Sequence, residues 1–136
     1  MLKILTIGKI DKKYIGLVNE YAKRITKYDK VEIIECKTEE TAIKYSDNCY
    51  KVVLDEFGKT CDSTIFSALL NKINMEQKNI CFIIGPGDGL SEDIKSSADL
   101  KLALSEMTLQ HDIAILVLIE QLYRAFTIMK GELYHK

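Results

Sequence analysis

Three short stretches of this chain hold residue types that chemistry needs. The first is Gly85-Pro86-Gly87-Asp88-Gly89-Leu90, which follows the apolar run CFII and contains the only proline. Glycine permits positive φ and lets backbone amides come close to a flat ligand. The same composition also builds a plain strand–helix turn. Leu90 stands where the GxGxxG fingerprint needs glycine, and no GKS or GKT follows, so neither a dinucleotide nor a phosphate loop fits. The second stretch is LSEMTLQH, residues 104–111, where Ser105 and Thr108 are small and polar and His111 closes the run. A lone histidine in such a place is more often a cap or surface residue than a catalyst. The third is the terminal GELYHK, which sets Tyr134 and His135 after a glycine helix stop. Taken alone, a tail of this kind is expected to fray.

The elements that must carry these stretches can be read from periodicity. LKILTI (2–7), VEIIEC (31–36), YKVVLDEFG (50–58), NICFIIG (79–85) and LKLALS (100–105) read as strands. The fourth is apolar on both faces, as a central parallel strand should be. Helices are expected over 11–28, 38–46, 62–73, 91–98 and 112–131, with Asp11, Thr38, Asp62 or Ser63, and Ser91 as N-caps and Gly131 as the last stop. The first half of the last helix is apolar all round, so it belongs in a core or at a subunit contact. Alternating strands and helices predict a single α/β domain over 1–136, a mostly parallel sheet with helices on both faces. Ligands in such folds sit beyond the C-terminal strand ends, where the glycine loop lies.

Composition excludes several classes. The 136 residues carry a net charge of −1, which argues against a bulk nucleic-acid binder. Residues 1–30 nevertheless hold eight basic against three acidic side chains. That basic face could meet phosphates or simply be a solvated helix face. The four cysteines form no CxxC pair and there are two histidines, so no metal is expected and the thiols read as free in a reducing cytoplasm. The first residues read as an amphipathic strand followed by charge, not a leader. The run IAILVLI is too short to span a bilayer, so no membrane partner is expected.

The ordered set IIGPGDGLS, LSEMTLQH, IEQLYRAFTI and GELYHK, together with KILTIGKI, YAKRI and VVLDEFGK, resembles the bacterial ribosomal RNA large-subunit methyltransferase H family of the SPOUT class. The likeness runs over nearly the whole chain. It implies a SPOUT-type parallel sheet with a C-terminal trefoil knot, a homodimer, and S-adenosylmethionine as cofactor. It also implies N3-methylation of a pseudouridine in 23S rRNA of the assembled ribosome. Three loops would wrap the cofactor: Leu54 and Asp55; Gly85, Pro86, Gly87 and Gly89; and Ser105, Glu106, Met107, Thr108, Leu109 and Gln110. The N3 proton needs an acceptor or a stabilised anion, and His111, Arg124, Tyr134 and His135 are the candidates. The resemblance favours Arg124, Tyr134 and His135, with the tail reaching the partner's pocket. The plain alternative for Arg124 is a helix salt bridge to Glu120.

Three positions depart from the family pattern. Pro86 replaces a second glycine and removes an N–H donor. Gln110 replaces a proline, which predicts a less rigid turn. Ile115 replaces an arginine, which predicts a missing cation on the RNA-facing side. Two other readings are a SPOUT enzyme for another RNA site and a ribosome-binding scaffold without turnover.

Overall fold

The computed structural model describes every residue from Met1 to Lys136. Its elements run β1 (Leu2–Ile7), α1 (Lys12–Ile25), β2 (Val31–Cys36), α2 (Glu39–Tyr45), β3 (Tyr50–Lys59), α3 (Ser63–Glu76), β4 (Ile80–Ile84), α4 (Glu92–Ser96), β5 (Leu100–Leu102) and α5 (His111–Met129). The strands form one sheet in the order β2-β1-β4-β3-β5, and every neighbouring pair is parallel.

Strand periodicity divides the core in two. Leu2, Ile4, Val52, Ile80, Phe82 and Ile84 face one side, where α1, α3 and α5 cover them. Leu5, Ile7, Val53, Cys81 and Ile83 face the other side, under Ala42 of α2 and Ile94 of α4. Every residue of β4 is buried, as its unbroken apolar run requires. The expected caps form at Asp11, Thr38, Asp62 and Ser91, each accepting a backbone N–H two or three residues on. Gly131, at φ +68°, ends α5. Its N–H reaches Ile128 O and that of Glu132 reaches Thr127 O, the two bonds of a Schellman motif.

Several expectations need correction. The fifth strand stops at Leu102 and not at Ser105, because β3 bulges there, rejoins only at Lys59 and ends. Leu102 pairs with both Leu54 and Lys59, and residues 55–58 bulge out between them. His111 is neither cap nor surface residue. It is the first residue of α5, its side chain is 12% exposed, and its Nε2 lies 3.1 Å from Thr6 Oγ1 of β1. Ile115 lies fully buried in the core, because the first half of α5 packs onto the sheet between α1 and α3. It is on no solvent-facing side, so a missing cation there is not a surface matter. Gln110 does not loosen its turn. Its Oε1 accepts from the N–H groups of Asp112 and Ile113 at 3.0 and 3.1 Å and caps α5.

Candidate functional site

A cleft of about 250 Å³ opens beyond the C-terminal ends of β3, β4 and β5. Leu54 and Asp55 line it from β3. Gly85, Pro86, Gly87 and Gly89 line it from the β4 exit, and Ser105, Met107, Thr108 and Leu109 from the segment before α5. Glu106 and Gln110 stand outside the lining, Glu106 in solvent and Gln110 committed to its cap. The three loops that the sequence set apart thus meet around one space.

The glycines there have different reasons to be glycine. A Cβ on Gly85 would lie 2.6 Å from Leu90 Cγ and 3.2 Å from the backbone of Gly89, so the loop closes on itself at that point. Gly89 has φ +89°, a region that disfavours side chains. Gly87 has neither constraint: nothing lies within 4 Å of an added Cβ. The fold of one chain therefore does not require glycine there. Pro86 helps form the turn, its carbonyl accepting from Gly89 N at 2.8 Å.

Charged residues complete the cleft, among them Glu56 and Lys95, which the sequence did not single out. Glu56 and Asp88 join Asp55 as carboxylates, against the one lysine, Lys95 of α4, whose Nζ lies 3.9 Å from Asp55 Oδ1. The lining is thus acidic and suits a ligand that carries positive charge. Lys95 is four residues past the α4 cap, and only the packing of α4 against β3 brings it here. His111 also lines the cleft. Next to it, Asp112 accepts from Asp11 N at 2.9 Å and Gln110 Nε2 at 3.1 Å, which pins the start of α5 to the β1–α1 turn. Burial pushes the Asp112 carboxyl up, but these hydrogen bonds and His111 outweigh it and hold the group below its ordinary range.

The other expected functional residues gather elsewhere. Arg124 is 13 positions beyond His111 on α5, about 20 Å at the helical rise. Its Nε and one terminal nitrogen reach Glu120 Oε1 at 3.0 and 2.7 Å, so the helix salt bridge is present. The other terminal nitrogen lies 3.0 Å from His135 Nδ1. A guanidinium only donates, so Nδ1 is the acceptor and carries no proton here. Tyr134 donates to Glu120 at 3.3 Å and packs edge-on against Tyr123 at 4.7 Å, with the Arg124 guanidinium 4.8 Å from its ring centre. The tail is docked and not frayed. Burial, then Tyr21 and Glu120, push the Tyr134 phenol well above its ordinary range. Glu120 also raises Arg124, so the guanidinium stays charged.

A family model described as predicted SPOUT methyltransferase matches residues 1–135. The chain belongs to the SPOUT methyltransferase family. Among curated relatives in this SPOUT family, the "Ribosomal RNA large subunit methyltransferase H" of Clostridium kluyveri is 38% identical over 157 aligned residues and covers 99% of both chains. The protein of the same name from Malacoplasma penetrans is 37% identical, again over 99% of each. Two solved structures share the fold. A "probable methylase family protein" from Haemophilus influenzae aligns with TM-score 0.61 and 13% identity over 99% of this chain and 70% of that one. The SpoU methyltransferase AviRb of Streptomyces viridochromogenes, solved with AdoMet, aligns with TM-score 0.51 and 14% identity over 91% and 57%.

No helix of this SPOUT chain is long and apolar enough to cross a membrane, and no group of three His, Cys, Asp or Glu side chains is placed to hold a metal.

Proposed function

We propose that the protein transfers a methyl group from S-adenosylmethionine to N3 of a pseudouridine in 23S rRNA of the assembled ribosome. It acts in the cytoplasm as a homodimer, each chain threaded by a C-terminal trefoil knot. The observation that carries the reading is the acidic cleft where three loops meet around the unhindered Gly87, in a chain of this family. The relatives' name supplies the large-subunit rRNA.

The residues present fit this cofactor. Asp55, Glu56 and Asp88 suit its positive charge, and Gly87 lets the backbone approach it. Leu54, Gly85, Gly89 and the segment from Ser105 to Gln110 would frame it. Bound there, S-adenosylmethionine supplies a methyl group already activated for transfer by its sulfonium. The chain's own task is alignment of the accepting nitrogen, which can contribute about 7–11 kcal/mol. Its second task is the N3 proton. Tyr134 keeps its proton and serves as a donor or stacking ring. Arg124 keeps its charge and stabilises the N3 anion. His135, its Nδ1 lone pair taken by Arg124, presents its Nε2–H as a further donor to the base, and the N3 proton leaves to solvent.

Arg124 lies about 20 Å along α5 from the cleft residue His111 of its own chain, and Tyr134 and His135 dock against it, so the trio serves the partner's cleft. Leu133, 93% exposed between two docked neighbours, supports a covered tail in the dimer.

The test is calorimetric titration with S-adenosylmethionine, followed by methyl transfer to 70S ribosomes and to free rRNA, mapped by mass spectrometry. Binding and one methylpseudouridine on ribosomes are expected. No binding at millimolar cofactor sinks the enzyme reading, and a different modified site sinks the substrate assignment. Truncation after Leu133 should leave cofactor binding intact while turnover collapses. Unchanged turnover would refute the role of Tyr134 and His135.

A further inference from the structure

Two loops are tied together at the rim of the cleft. Thr108 Oγ1 donates to Glu56 Oε2 at 2.8 Å, joining the bulge of β3 to the segment before α5. Beside each partner stands a large apolar side chain in solvent: Phe57 is 85% exposed and Met107 78%. The support beneath Phe57 is stiff. Its N–H donates to Asp55 Oδ1 at 3.1 Å, and Gly58 is wedged against the backbone of β5. An exposed phenylalanine forgoes roughly 1.5–3 kcal/mol of burial, so the fold of one chain does not call for it.

The charge around it narrows what can land there. Asp55 and Glu56 immediately precede Phe57, and both line the cleft together with Asp88. An acidic rim repels phosphate. Cations stand on another flank, where exposed Lys12 and Lys13 begin α1 beside the start of α5. A nucleic-acid strand crossing the cleft can therefore set its phosphates toward α1 and only a base face toward the β3 bulge.

We propose that Phe57 is a stacking platform for an unpaired base of the RNA substrate, with Met107 against the edge of that base. Every base has a face that stacks on an aromatic ring, and single-stranded RNA is commonly held this way. Phe57 is then a positioning residue: it touches the RNA, not the cofactor. The inference rests on the RNA methyltransferase reading above.

The test uses the full-length protein, 70S ribosomes and the variants Phe57→Ala, Phe57→Leu and Phe57→Tyr. Loss of the stack should lower kcat/KM for ribosomes about 5- to 150-fold in the alanine variant. Leucine should recover little of this and tyrosine most of it. S-adenosylmethionine affinity and melting temperature should stay at wild-type values in all three. Unchanged kcat/KM in the alanine variant overturns the inference. So does full activity with leucine, which would mean an apolar contact and no stack. Wild-type protein that turns over while Phe57→Ala is unaffected sinks the platform alone. Wild-type protein that neither binds cofactor nor methylates sinks the functional reading, and the platform with it.

Discussion

In the proposed cofactor loop, Gly87 is the position where folding and ligand binding can be tested apart. An added Cβ meets no atom within 4 Å, and the residue is exposed with no positive φ. Gly87→Ala should therefore change stability by no more than about 0.5 kcal/mol, the usual surface value. That is a melting shift of about 2 °C in a domain of this size. The cofactor should respond differently. A methyl group where the ligand meets the backbone costs a hydrogen bond and forces the ligand back, a loss of about 1–3 kcal/mol. The S-adenosylmethionine Kd should rise about 5- to 150-fold. Gly85→Ala is the control for folding, since its Cβ would sit 2.6 Å from Leu90 Cγ inside a packed cluster. Overpacking there costs about 1–3 kcal/mol. The assay pairs a thermal melt with a calorimetric titration for each variant. Wild-type cofactor affinity in Gly87→Ala would refute the reading that this glycine leaves room for the ligand. A large melting loss in the same variant would show that the open space around its Cβ is misjudged.

Gly58→Ala should lower the melting temperature by about 4–10 °C, because the Cβ would meet the backbone of Lys101 and Leu102 at 2.7–2.8 Å and neither can move aside; an unchanged melt would refute the close crossing. Asp112, held below its ordinary range in the folded chain, contributes stability that is present above about pH 4, the unfolded value, and lost as pH falls through the folded value. Asp112→Asn should flatten the acid side of a pH–stability curve, and an unaltered slope would show that the carboxylate does not carry it. Mixed dimers of a Gly87→Val chain and a chain truncated after Leu133 should recover about half of wild-type activity, since one intact cleft meets one intact tail across the two-fold axis. Inactive mixed dimers would place the tail's action within its own chain.

The sheet was legible because its signal is local. Strand alternation divides Leu2 and Ile4 from Leu5 and Ile7, and the two cores follow. Caps at Asp11, Thr38 and Ser91 follow from side chains that accept hydrogen bonds a few residues ahead. What stayed hidden depends on chain partners distant in sequence. LKLALS alternates through residue 105, yet β5 ends at Leu102 because β3, more than 40 positions earlier, bulges and then ends at Lys59. His111 looks like a surface histidine until β1 supplies Thr6. Lys95 and Glu56 carry no local mark, since they become cleft residues only when α4 and the β3 bulge pack beside the glycine loop.

The same distance in sequence explains why the proposed catalytic trio sits so far from the cleft. In the single chain, Glu120 holds Arg124 through two nitrogens and also accepts from Tyr134. A guanidinium has five N–H donors, and His135 occupies one more. Arg124 can therefore keep its helix salt bridge and still donate to a uracil oxygen. The salt bridge and the catalytic role are not rivals: Glu120 fixes the direction of the guanidinium and keeps it charged, while His135 is left with its Nε2 edge toward solvent or a partner. In the proposed dimer, a catalytic group held rigid on one chain and offered to the cleft of another would make turnover depend on assembly, while cofactor binding in the cleft would not. Free chains should therefore bind S-adenosylmethionine yet leave ribosomes unmethylated, and dilution below the dimer's dissociation constant should lower turnover without changing cofactor affinity.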